Sequence, residues 1–99
     1  MALITSIEIM NQLHIDIDDT EKATIQSLLD FATQYIANVV TNNGTIDDVV
    51  KGTNEKLVNT TLSTIVANLY YDRYLLESGG FSIGVQVLMN NLRNIYKGV

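Results

Sequence analysis

Two long runs of apolar residues at three-and-four spacing dominate the chain. In the first, Ile25, Leu28, Leu29, Ala32, Tyr35, Ile36 and Val39 fall on one stripe, the pattern of a helix packed along one side. It predicts a helix from about Thr20 to Val40, roughly 30 Å long. Thr41-Asn42-Asn43-Gly44 ends it, because Asn and Gly tolerate the left-handed backbone that closes many helices. In the second run, Leu57, Val58, Leu62, Ile65, Val66, Leu69 and Leu76 predict a helix capped by Thr53 or Asn54 and extending to about Glu77. Ser78-Gly79-Gly80 stops it.

Shorter elements flank these two. Thr5-Ser6-Ile7-Glu8 is a capping box, in which hydroxyl and carboxylate each take one of the amides a helix start leaves free. It opens a helix from about Ser6 to Leu13. His14-Ile15-Asp16-Ile17-Asp18-Asp19 breaks that helix, and Asp18 or Asp19 caps the next, with Glu21 in its first turn. After the glycines, Ser82 starts a shorter helix carrying Val85, Leu88, Met89 and Leu92 on one face. Ile46-Asp47-Asp48-Val49-Val50 has too little pattern to assign and is read as a loop with room for one helical turn. The resulting expectation is an all-α fold: an antiparallel hairpin of two long helices, flanked by a short N-terminal and a short C-terminal helix. Residues 1–99 form one domain on this reading, since either half would be too small to bury an adequate core.

Composition narrows the function classes. Apolar residues make up 46% and charged residues 17%, which is the balance of a packed domain and not of a disordered chain. Six basic residues against eleven acidic give a net charge of -5, the wrong sign for gripping phosphates over a broad surface. There is no cysteine, so disulfides and thiolate metal sites are excluded, and no proline, so Asn, Gly and the caps supply the punctuation. Met1 to Ser6 lacks a basic, apolar leader pattern, and no run approaches the ~20 apolar residues of a membrane span. A soluble protein made in the cytoplasm, with no membrane partner, is expected.

No constellation for catalysis emerges. Asp16, Asp18, Asp19 and Glu21 are spaced like the start of a calcium loop, but Glu21 stands where the sharp-turn Gly belongs and Ser27 where the bidentate Glu belongs. Carboxylates at a helix start are explained by capping and the helix dipole. His14, the sole histidine, has no partner at a spacing that suggests a general base. Gly79-Gly80-Phe81-Ser82-Ile83-Gly84 matches neither the dinucleotide fingerprint nor the P-loop. Neither an enzyme nor a cofactor or metal is expected. The segment Tyr70-Tyr71-Asp72-Arg73-Tyr74 does concentrate residue types that subunit contacts favour, each joining apolar area to a polar group. Arg73 sits at the margin of the buried stripe, with Glu77 one turn on as a candidate ion-pair partner.

The order of these features resembles the small head-tail connector proteins of tailed bacteriophages, a group also described as possible DNA packaging proteins. The resemblance runs through Leu3-Ile4-Thr5-Ser6-Ile7-Glu8, Leu13-His14-Ile15-Asp16 with the acidic stretch to Glu21, and the Ile25 to Ile36 helix. It continues in Leu69-Tyr70-Tyr71-Asp72-Arg73 and closes in Phe81-Ser82-Ile83-Gly84-Val85-Gln86-Val87-Leu88-Met89 with Leu92-Arg93. Members of the group often carry prolines and a tryptophan or second aromatic near the hairpin, and this chain has no proline and no tryptophan.

The resemblance implies a structural adaptor in the virion at the head-tail junction, assembled in the host bacterial cytoplasm. Its copies form a ring below the portal protein, extend the DNA channel and dock further neck or tail proteins. An acidic channel lining would let DNA pass without specific binding. Ring closure needs two different patches per copy. The outer faces of the long helices are candidates, with Tyr70, Tyr71, Arg73 and Tyr74 as anchors. Leu92, Ile95 and Tyr96 in the tail are candidates for reaching a partner, since Ile95 and Tyr96 would otherwise be apolar groups on a frayed end. The alternative is a small helical DNA-binding packaging or regulatory protein, which would want a more basic helix than the Arg93 to Lys97 stretch supplies.

Overall fold

A computed structural model describes residues 3–71 and 83–97. They form five helices and, among the described residues, no strand: α1 (Ser6–Gln12), α2 (Asp19–Thr41), α3 (Ile46–Gly52), α4 (Glu55–Tyr71) and α5 (Ile83–Lys97). The all-α expectation holds. The stretch read as a loop is instead a two-turn helix, α3, and the C-terminal helix continues through Asn94-Ile95-Tyr96-Lys97 rather than giving way to a tail. The expected end of the second long helix at Glu77 and the restart at Ser82 lie outside the described residues.

Local polar chemistry sets nearly every helix start. At α1 the Glu8 amide donates to the Thr5 hydroxyl at 3.2 Å and the Thr5 amide to the Glu8 carboxylate at 3.1 Å, which is the reciprocal box read from the sequence. Asp18, not Asp19, caps α2 by accepting the Glu21 amide at 2.8 Å. Asn54 caps α4 by accepting the Leu57 amide at 2.7 Å, while Thr53 turns back and donates to the Val49 carbonyl of α3 at 2.6 Å. A second capping box, Thr45 with Asp48, starts α3, and Thr45 holds the Asp48 carboxyl below the usual carboxylate range by hydrogen bonding from its amide and hydroxyl.

Two helix ends require left-handed backbone. Asn42 closes α2 at φ 54°, and Asn43 follows at φ 98°. After α1, the Ile15 amide reaches the Met10 carbonyl at 2.9 Å and the His14 amide the Asn11 carbonyl at 3.3 Å, a Schellman closure with His14 at φ 57° in the position glycine usually fills. Its imidazole is exposed. Relief of the Cβ crowding outweighs the greater freedom glycine gives the unfolded chain. His14→Gly is therefore expected to stabilise the protein by about 0.5–1 kcal/mol, whereas His14→Val, β-branched at positive φ, destabilises it by ~1 kcal/mol or more. Thermal unfolding of the two variants should move in opposite directions.

α2 is the hub, in contact with each of the other four helices, and its closest partner is α4. Ile25, Leu29, Ala32, Ile36 and Val40 of α2 meet Val58, Leu62, Ile65, Val66 and Leu69 of α4 in one core that also takes in Ile9, Met10, Val49, Val85, Met89 and Leu92. Val39 departs from the predicted stripe: it stands 37% exposed, and Ala37 and Val40 are buried in its place. A helix flanked by four neighbours buries a wider arc than a single stripe, and at the C-terminal end of α2 that arc has moved around the helix. Thr61, the one fully buried polar residue on α4, satisfies its hydroxyl by donating to the Leu57 carbonyl at 2.8 Å.

Candidate functional site

The tyrosines at the end of α4 lie against the α1–α2 junction. Tyr70 is half-buried and its hydroxyl donates to the Glu21 carboxylate. Tyr71 is 66% exposed, donates to the Leu13 carbonyl at 3.3 Å, and meets the Tyr70 ring edge-to-face with centroids 5.3 Å apart. Glu21 thus has a role beyond the helix dipole: it ties the first turn of α2 to the last turn of α4. Arg73, Tyr74 and the Arg73–Glu77 pairing lie outside the described residues.

The C-terminal candidates divide. Leu92 is fully enclosed by the chain's own core and has no surface to give a partner. Tyr96 is half-buried with its ring on the backbone of Gly52, where a Cβ would approach Tyr96 Cδ1 to 2.6 Å. The residue expected to dangle from a tail therefore fastens α5 to α3. Ile95 remains exposed at the side of α5.

Other apolar residues that the sequence reading did not single out for contact lie in the open. On α5, Val85, Met89 and Leu92 point into the core, while Ile83 (78% exposed) and Val87 (51% exposed) occupy the opposite face. The i, i+4 spacing of this pair is visible in the sequence, opposite the stripe that Val85, Leu88, Met89 and Leu92 predict. On α2, exposed Phe31 stacks one turn from half-buried Tyr35, centroids 6.1 Å, and exposed Val39 follows along the same flank. Ile17, in the acidic linker before α2, is also exposed.

Two open grooves accompany these surfaces. One, about 480 Å³, lies between the N-terminal segment and α4 and is lined by Ile4, Gln12, Glu55, Lys56, Asn59, Thr60 and Ser63. Asn59 belongs to the architecture here, since its side-chain oxygen takes the Ile4 amide at 2.8 Å and pins the N-terminal segment to α4. The other, about 360 Å³, is bordered by Asp48, Lys51, Gly52 and Tyr96. His14 lines neither. Among the described residues, no group of three or more acidic or histidine side chains is placed to hold a metal ion, and no helix is long and apolar enough to cross a membrane. Compared with protein-family models, with curated proteins and with solved structures, the chain matches none.

Proposed function

We propose that this chain is a structural adaptor subunit of a tailed-bacteriophage neck, acting at the head-tail junction of the virion after assembly in the host cytoplasm. Copies assemble as a ring below the portal, with α2 and α4 as the antiparallel hairpin that forms each subunit's frame. Further neck or tail proteins dock on the ring, and DNA passes through it without specific binding. The reading draws on the order of sequence features shared with connector proteins. The observation that supports it most directly is the outward face of α5, where Ile83 and Val87 stand in solvent opposite a fully packed inner face. Monomeric domains usually scatter such residues singly, and paired exposed apolar residues on a rigid helix suit a contact with another protein.

The test is the solution mass of the protein alone and mixed with a cognate portal ring. A closed ring in either condition supports the proposal. A monomer indifferent to portal overturns it, and duplex DNA affinity with a steep salt dependence would put the DNA-binding alternative ahead.

A further inference from the structure

Charge is divided unevenly along this chain. Residues 1–50 carry eight carboxylates and the single cation Lys22, whereas residues 51–99 carry three carboxylates and five cations. The division maps onto surfaces. α5 has no acidic residue at all, and beyond its exposed Ile83 and Val87 it carries Arg93 and Lys97, both exposed. At the α1–α2 junction the pattern is the inverse. Ile17 and Tyr71 are exposed apolar side chains, and Asp16, Asp18 and Asp19 beside Ile17 are all exposed. Each surface joins exposed apolar side chains to exposed charge, and the net charges have opposite sign: Arg93 and Lys97 further along α5, against Asp16, Asp18 and Asp19 with only Lys22 among them at the junction.

We infer that the partner of the α5 outer face is a second copy of this chain, seated through its α1–α2 junction. The inference rests on the reading of the chain as an assembly subunit and names the two surfaces that meet. Because they sit on different elements, the contact is heterologous: in a pair, one copy keeps its junction free and the other its α5 face, so the contact can be passed on. The opposed charges favour this pairing, while α5 against α5 or junction against junction would bring like charges together. The same charges make the association salt-sensitive, because exposed pairs are screened within about 10 Å at 0.1 M salt.

A charge-swap experiment tests this. One variant carries Asp16→Lys and Asp19→Lys, the other Arg93→Glu and Lys97→Glu; Asp18 is kept because it caps α2. All four positions are exposed, and circular dichroism verifies that both variants keep the native helix content. In analytical ultracentrifugation at low salt the native protein is expected to self-associate. Each variant alone should associate at least tenfold more weakly, and an equimolar mixture should recover native behaviour, since reversed charges then face each other. A native protein that stays monomeric at all concentrations overturns the inference, as do variants that associate like the native chain or a mixture that shows no recovery. Assembly on the portal ring by variants that fail this pattern would remove the inference and leave the proposed function standing. Charge-swap recovery together with indifference to portal would do the reverse.

Discussion

Ile36→Ala is expected to destabilise the protein by about 3 kcal/mol, within the ~2–5 kcal/mol that truncating a buried isoleucine costs when the surroundings cannot collapse into the space. Ile36 has no exposed surface and lies in the C-terminal third of α2, the helix that all the others touch. A cavity there is walled from several sides, so no single helix can move in to fill it. For a domain of this size ~1 kcal/mol corresponds to roughly 4–8 °C, and the melting temperature should fall by about 12–24 °C. Val39→Ala, three residues on, should change stability by less than about 0.5 kcal/mol, because that side chain is more than one-third exposed and alanine is the better helix former. Paired thermal melts check the assignment of faces on α2. Equal losses at the two positions would mean that the buried arc does not turn away from Val39.

That contrast also marks how far the sequence could be read. Helix existence was legible because each long element repeats its apolar positions over several turns, and helix starts were legible because Thr5, Asp18 and Asn54 announce themselves through their side-chain chemistry. Periodicity gives the direction of one buried stripe. It does not reveal that four neighbours surround α2, which is why the stripe points Val39 inward and the fold does not. α3 shows in the sequence only as a loop with room for one helical turn, because two turns hold too few apolar positions for a period to emerge, although Thr45-Ile46-Asp47-Asp48 is a capping box with Asp in the usual place of Glu.

The candidate contact residues were less legible, because the same residue types serve packing and association. Tyr70 and Tyr71 stand out for their chemistry, and both spend their hydroxyls inside the chain, on Glu21 and on the Leu13 carbonyl. Leu92 continues the stripe of Val85 and Met89, so its burial was already implied by the helix reading that named all three. Ile83 and Val87 are opposite that stripe by spacing alone, and the signal for them was the apolar pair left over once the inner face had been filled.

Gly52 carries the second large expectation. Its Cα faces the Tyr96 ring so closely that an added methyl would sit 2.6 Å from Cδ1 and 2.9 Å from Cε1, well inside van der Waals contact. Tyr96 is half-buried on a helix whose neighbouring Leu92 is locked in the core, so the ring can yield only by swinging toward solvent and giving up its contact with α3. Gly52→Ala is therefore expected to cost about 1–3 kcal/mol, the usual range for forcing extra volume into a packed contact. This loss runs against the ~0.5–1 kcal/mol that replacing a helical glycine with alanine normally gains. The two effects separate in a double-mutant cycle: with Tyr96→Ala already in place the clash is gone, and Gly52→Ala should then be neutral or stabilising. Denaturant unfolding of the four proteins reads the coupling directly. A Gly52→Ala penalty that persists without the tyrosine ring would mean that the glycine is required by its own backbone rather than by α5, and that Tyr96 is free to serve as the external contact its place in the sequence suggested.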